Sequence, residues 1–262
     1  MRNLNIDKSH VALRFAQAGQ SYTEHAVVQK QIARHLFDLI YKYCPTSFDQ
    51  VFEIGCGSGN LSHLLLENFQ INHLFLNDLY PEIQQHFQAN TNLEYLIGDI
   101  EQIEFPKNLD LMASSSALQW VQNLDAIFQK AFQSLNQRSD STGYLCFSTF
   151  GQQNLQEIKT LTGQGLDYLS IENIQDKLLK NGFEILHISE QHEVLNFNHP
   201  KQILQHLKAT GVTATASNFR WTKQGLQDFY FNYQQFSTQD GLGQDRYPLS
   251  YHPIYCIARR MP

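Results

Sequence analysis

Hydrophobic and polar positions follow two rhythms along this chain. Between residues 50 and 150, short apolar runs recur at Gln50-Ile54, His73-Asn77, Leu93-Ile97, Leu109-Ser114 and Tyr144-Thr149. Runs of that length bounded by polar residues read as strands. Between them, stretches near 60–69, 81–89 and 123–135 carry helical spacing, as Leu61, Leu64 and Leu65 do. The alternation predicts a mostly parallel sheet with helices on both faces. Right-handed crossovers then put the strand C-termini along one edge, where open α/β sheets bind ligands.

The flanks read differently. Ser21 to Glu24 has capping-box spacing, and Val28, Ile32, Leu36, Leu39 and Tyr43 share a helical face. Residues 1–48 are therefore a helical lead-in. Residues 171–181 read as a helix closed by Gly182, and Phe183-Glu190 as a strand. From 196 to 250 no strand alternation is visible. Two helix signals stand there: Pro200 to Gly211, and Thr222 to Phe236 with Leu226, Phe229, Tyr230, Tyr233 and Phe236 on one stripe. Pro253-Arg259 is the last strand. Fifty residues are too many for a plain loop, so 196–250 is expected to be an inserted helical cap over the strand C-termini. The sheet domain is then 49–195 with 251–262.

Composition narrows the function. The net charge of −6 offers no global basic field for nucleic acid or an anionic membrane surface. Cys44, Cys56, Cys146 and Cys256 show neither CxxC spacing nor a Cys/His cluster, so no metal site is expected and the thiols read as reduced. The polar start of the chain lacks a signal-peptide core, and no apolar run approaches a membrane span. The expectation is a cytoplasmic enzyme.

The chemistry gathers at the first strand. Glu53-Ile-Gly-Cys-Gly-Ser-Gly59 places glycines at 55, 57 and 59, between a strand and a helix. Such a turn lets a ligand approach the backbone at a helix N-terminus. Asp78 ends the second strand and Asp99 ends the third, in Gly98-Asp99-Ile100. Each has a plain structural alternative: a positive-φ turn for Gly57, an N-cap before Pro81 for Asp78, a turn residue for Asp99. Their joint occurrence at three successive strand ends favours a ligand. The G-x-G-x-G spacing, Glu53 ahead of it and the third-strand acid favour S-adenosylmethionine (SAM) over a dinucleotide, whose fingerprint is G-x-G-x-x-G.

Glu53 to Gly59 with Asp78 and Asp99 resembles the class I SAM-dependent methyltransferases. That resemblance implies a Rossmann-like, seven-stranded sheet with its last strand antiparallel. Longer segments are more discriminating: Phe15-Ala-Gln-Ala-Gly-Gln-Ser-Tyr22, Ala117-Leu-Gln-Trp120, Leu207-Lys-Ala-Thr-Gly211 and Leu249-Ser-Tyr-His-Pro-Ile-Tyr255. Together they resemble the malonyl-[acyl-carrier protein] O-methyltransferase family of early biotin synthesis. Asn136-Thr142 departs from it as a longer polar loop.

The resemblance implies methyl transfer from SAM to the free carboxylate of a malonyl thioester. A malonyl half-acid titrates near ~4 and is ionised at pH 7, so no catalytic general base is expected. Alignment, desolvation and a cation or several donors on the carboxylate are required instead. Cofactor-binding candidates are Tyr22, His25, Gln29, Glu53, Gly55, Gly57, Gly59, Asp78, Asp99, Ile100, Ser114 and Ser115. Substrate-binding candidates are Tyr22, Trp120, Arg220, Arg246, Tyr251 and His252, the last two opening the final strand. An acidic acyl-carrier protein would need a local basic face, for which Lys201, Lys208, Arg220 and Lys223 are the cap's candidates. Two alternatives stay open: another small carboxylate or hydroxyl acceptor, and a non-catalytic SAM-binding partner protein.

Overall fold

The computed structural model describes residues 26–88, 92–138, 141–211 and 221–262. The Ser21–Glu24 capping box, Tyr22, His25 and Arg220 lie outside the described residues. The chain divides into two compact units.

The larger unit comprises Val27–Phe150, Leu169–Glu190 and Pro253–Pro262. It opens with α1 (Val27–Tyr43), whose Val28, Ile32, Leu36 and Leu39 are buried as their spacing requires. There follow β1 (Ser47–Ile54), α2 (Ser62–Asn68), β2 (Gln70–Asp78), β3 (Leu93–Ile97), β4 (Leu111–Ser115), α3 (Leu124–Ser134) and β5 (Tyr144–Phe150). The unit closes with α5 (Ile171–Lys180), β6 (Phe183–Glu190) and β9 (Pro253–Arg260).

These seven strands form one sheet in the order β3-β2-β1-β4-β5-β9-β6. β1 to β5 pair in parallel, and β9 runs antiparallel to both neighbours. That is the seven-stranded Rossmann-like arrangement expected from the sequence. One face carries Phe52, Ile54, Met112, Leu145, Phe147, Ile254 and Cys256 against Ile127, Phe128 and Ala131 of α3 and Ile174 and Leu178 of α5. The strand order reverses between β1 and β4, so a crevice opens beyond their C-terminal ends.

Four readings of this unit need correction. The 81–89 stretch is a short 3-10 helix, Pro81–His86, with Pro at its first turn. β4 begins at Leu111, and Leu109 makes an isolated bridge to Leu135. Asp99 stands two residues beyond β3, in a turn. The polar loop at 136–142 contains a two-residue ladder, Gln137–Arg138 against Ser141–Thr142.

The smaller unit holds Gly151–Tyr168 and Gln191–His252. It contains α4 (Gln156–Thr162), β7 (Glu193–Phe197), α6 (Pro200–Ala209), α7 (Lys223–Asn232) and β8 (Asp245–Tyr251). The Thr222 side chain caps α7, and a 3-10 turn at Tyr233–Phe236 continues its stripe. Here the sequence reading of 196–250 as strand-free is wrong. Thr238–Gln239, β8 and β7 make a three-stranded antiparallel sheet.

β7 has adjacent Val194 and Leu195 in place of alternation, and none of its residues is fully buried. β8 contains Pro248, which argues against a strand. The proline is tolerated because Thr238–Gln239 pairs only with Arg246 and Asp245, leaving β7 as the sole neighbour at Pro248. Tyr251 therefore ends β8, and the final strand starts at Pro253.

Candidate active site

The glycine turn leaves β1 with positive φ at all three glycines: 68°, 53° and 81° for Gly55, Gly57 and Gly59. Gly55 is forced by packing, since a Cβ there would lie 2.4 Å from the Ala117 Cβ. Gly57 is different: a Cβ would meet nothing within 4 Å. Its backbone faces open space, as close ligand approach requires.

The turn is tied to the end of β2. Cys56 N–H donates to Asn77 O at 2.9 Å, and Gly57 N–H donates to Asp78 Oδ2 at 2.8 Å. Asp78 Oδ1 accepts from Leu79 N–H at 2.7 Å. Burial pushes the Asp78 carboxyl up to about 6, with these two N–H groups pulling it back. Asn77 is buried and donates to Leu96 O and Gly98 O at 2.8 and 3.0 Å, which fixes the end of β3 beside β2. Asp99 Oδ1 then accepts from Glu101 N–H at 3.0 Å, and Ile100 is buried.

Glu53 is 1% exposed and its Oε2 has no hydrogen-bond partner. Burial pushes its carboxyl up to about 8; the neighbouring Ser62 hydroxyl pulls the other way and the Asp78 charge adds to the rise. Cys56 is raised well above the usual thiol range by burial and by the charges of Asp78 and Glu53, which makes it a poor nucleophile.

Ser114 and Ser115 stand at the end of β4. Ser114 Oγ donates to Ile54 O at 3.0 Å, so this hydroxyl brackets β1 to β4. Ser148 Oγ lies 3.4 Å from Ser115 Oγ. Sequence reasoning missed Ser116 and Gln119. Ser116 adopts φ 55°, a strained value for a non-glycine residue, and its N–H bonds Ser148 Oγ at 3.1 Å. Gln119 Nε2 donates to Ser116 O at 2.6 Å. Trp120 ends the short 3-10 turn that follows and is partly exposed.

Eight buried side-chain polar atoms among the described residues lack a partner. Six of them belong to Gln29, Glu53, Ser58, Ser62, Ser116 and Gln119. Leaving such a group unpaired costs about 1–3 kcal/mol. Their concentration on α1, β1, the glycine turn, the start of α2 and the loop after β4 is the signature of a site built for a polar ligand.

The smaller unit holds the other candidates. Tyr251 is buried, its hydroxyl 2.8 Å from His206 Nε2. His252 Nδ1 accepts from Gln153 N–H at 3.1 Å, and Gly151 N–H donates to His252 O at 2.7 Å. A Cβ at Gly151 would lie 2.6 Å from the His252 ring, so the glycine is needed there. Arg246 is ion-paired with Asp240 at 2.6 Å. Lys201, Lys208 and Lys223 are all exposed on α6 and α7.

Residues 51–138 match the family model described as a methyltransferase domain. The chain is 49% identical over 259 residues to the malonyl-[acyl-carrier protein] O-methyltransferase of Acinetobacter baylyi, covering 98% of each protein. The chain belongs to the malonyl-[acyl-carrier protein] O-methyltransferase family. The enzyme of that name from Calditerrivibrio nitroreducens is 37% identical over 94% of both chains. The YcgJ protein of Bacillus subtilis shares the fold, with a TM-score of 0.56 at 14% identity over 87% of this chain and 99% of that one. Among the described residues no helix is long and apolar enough to cross a membrane.

Proposed function

We propose that this chain transfers the methyl group of SAM to the free carboxylate of a malonyl thioester on an acyl-carrier protein, giving the methyl ester used in pimeloyl and biotin synthesis. The observation that carries this reading is end-to-end 49% identity with a named member of the family. The strand-end site is consistent with the donor.

The residues present fit SAM. Gly57 leaves the turn backbone open, and Glu53 and Ser58, flanking it in the chain, each hold a buried polar atom without a partner. Each Asp78 oxygen already accepts one backbone N–H and keeps a second lone pair, which suits the two ribose hydroxyls. Glu53 supplies an acceptor for a cationic ammonium beside the turn. Asp99 and Ile100 offer a polar edge and an apolar face to adenine. Gln29, Ser114 and Ser115 line the remainder, with Tyr22 and His25 from the lead-in. When bound, SAM supplies an electrophilic methyl group on a sulfonium.

The protein's own task is positional. The acceptor carboxylate is already ionised at neutral pH, so the site must orient one oxygen toward the methyl group and strip its water. Trp120, in the loop after β4, is the larger unit's candidate for contacting the malonyl group, and Tyr251 and His252 are the smaller unit's candidates. Arg246 already has Asp240 as partner, so Arg220 is the favoured guanidinium for the free carboxylate oxygen. Lys201 and Lys208, seven residues apart on α6, form the proposed docking face for the carrier with Arg220 and Lys223.

The direct test incubates the protein with SAM and malonyl-acyl-carrier protein and weighs the product. A gain of about 14 Da on the acyl group, one methyl replacing one proton, is expected. A folded, SAM-binding sample that leaves the carrier unmodified would refute the acceptor assignment.

A further inference from the structure

The Asp99–Ile103 turn is gripped from outside by one ammonium group. Lys130 of α3 directs Nζ at three backbone carbonyls: Glu101 O at 2.8 Å, Ile103 O at 3.1 Å and Ile100 O at 3.4 Å. An ammonium has three N–H donors and no acceptor, so this set matches its capacity. The same Nζ lies 5.2 Å from the centroid of the buried Phe105 ring, within cation–π range. Three carbonyl oxygens repel one another when they converge, and a cation at their focus holds the turn in that shape.

A second link runs the other way. The Glu101 carboxylate accepts from Gln122 N–H at 3.1 Å and Asn123 N–H at 2.9 Å, at the start of α3. Within the turn, Asp99 O accepts from Gln102 and Ile103 N–H at 2.8 and 3.0 Å. The turn carrying Asp99 and Ile100 is thus tied to the start and to the middle of one helix. The loop carrying Trp120 is anchored two residues away.

We propose that Lys130, seconded by Glu101, is a positioning residue for the nucleoside end of the cofactor. It holds the Asp99–Ile100 turn in the conformation that reads adenine, without touching the ligand itself. The proposal rests on the SAM reading above and goes beyond it by assigning adenine selectivity to a clamp on the turn's backbone carbonyls.

The test compares dissociation constants for S-adenosylhomocysteine and S-inosylhomocysteine by titration calorimetry on the full chain, with melting curves alongside. Adenine's 6-amino group donates to a carboxylate, whereas inosine's 6-oxo group only accepts, so the wild type is expected to prefer the adenosyl ligand. Lys130→Met keeps an unbranched stem and loses the donors. Its affinity for S-adenosylhomocysteine is expected to fall roughly tenfold, and its preference over the inosyl ligand by a similar factor. Lys130→Arg should recover most of both.

Glu101→Gln keeps one acceptor oxygen and should shift both readouts in the same direction by less. It supplies the test if Lys130→Met does not fold. Undiminished preference in the variants overturns the proposal, whether affinity is unchanged or both ligands weaken equally. Equal affinity of the wild type for the two ligands also overturns it. Failure of the wild type to bind S-adenosylhomocysteine would instead overturn the cofactor reading.

Discussion

The sheet unit and the smaller unit treat polar groups in opposite ways. At the C-terminal edge of β1 and β2 stand a buried carboxyl, Glu53, raised to about 8, and a partly buried one, Asp78, raised to about 6. Six buried polar atoms of this unit, on Gln29, Glu53, Ser58, Ser62, Ser116 and Gln119, have no protein partner. In the smaller unit the buried polar groups are matched internally. Glu157, 3% exposed, takes Ser250 N–H at 3.1 Å and Ser250 Oγ–H at 2.5 Å, and Asn154 Nδ2 donates to the Tyr168 hydroxyl at 2.9 Å. Unmatched buried polarity lowers stability and is retained where a ligand completes it. Matched polarity holds a surface in shape. The contrast supports the proposal of a donor site at the sheet edge and a scaffolding role for the core of the smaller unit, whose Lys201, Lys208 and Lys223 are exposed.

The largest effect should come from removing the shared acceptor. Asp78→Ala deletes the partner of Gly57 N–H together with the proposed ribose acceptor, and titration calorimetry should show S-adenosylhomocysteine binding at least ~100-fold weaker. Binding within a few fold of the wild type would break the comparison. Lowering the pH probes the same carboxylate without a mutation. Protonating Asp78 below about 6 removes acceptor capacity, so affinity for S-adenosylhomocysteine should fall roughly tenfold between pH 7 and pH 5. A flat profile would detach Asp78 from the ligand.

On the other unit, Lys201→Glu with Lys208→Glu should raise KM for the carrier-bound substrate about five- to tenfold and flatten its salt dependence. Unchanged kinetics would move the docking face elsewhere.

The smallest effect concerns the ligand-free protein. Glu53 has its folded pKa raised to about 8 from 4.5. Its contribution to stability is present below the unfolded value and lost as pH rises from about 4.5 to 8, where the unfolded chain ionises and the folded one resists. Glu53→Gln removes that loss. Its melting temperature should exceed the wild type's by a few degrees at pH 8, and the gap should close toward pH 5. A gap independent of pH would mean that the carboxyl is not the strained group.

The two units also differ in how far the sequence revealed them. β1, β2 and β5 were legible because buried parallel strands are apolar runs, while β3 and β6, the half-buried edge strands, stood out as short apolar-rich segments, Phe183–Glu190 with its predicted bounds. The positive-φ glycines were legible because other residues are disfavoured there. β7 was not, since no fully buried face marks it, and in β8 Pro248 masks the alternation of Tyr247, Leu249 and Tyr251.

At the site, Glu53, Asp78 and Asp99 stand where strand ends are expected, so spacing found them. Ser116, Gln119 and Lys130 owe their roles to contacts with Ser148, Ser116 O and the Ile100–Ile103 carbonyls, which no local pattern announces. Arg246 shows the converse: its residue type suggested a carboxylate ligand, but a nearby aspartate, six positions earlier, already binds it.

One measurement tests the division of labour most directly. Steady-state methyl transfer to malonyl-acyl-carrier protein is followed in Asp78→Asn and in the Lys201→Glu, Lys208→Glu pair, with SAM and the carrier varied in turn. The aspartate variant should raise KM for SAM by about tenfold or more and leave KM for the carrier within about twofold; the lysine variant should do the reverse. If both KM values rise together in either variant, donor and acceptor recognition are not divided between the sheet edge and the smaller unit.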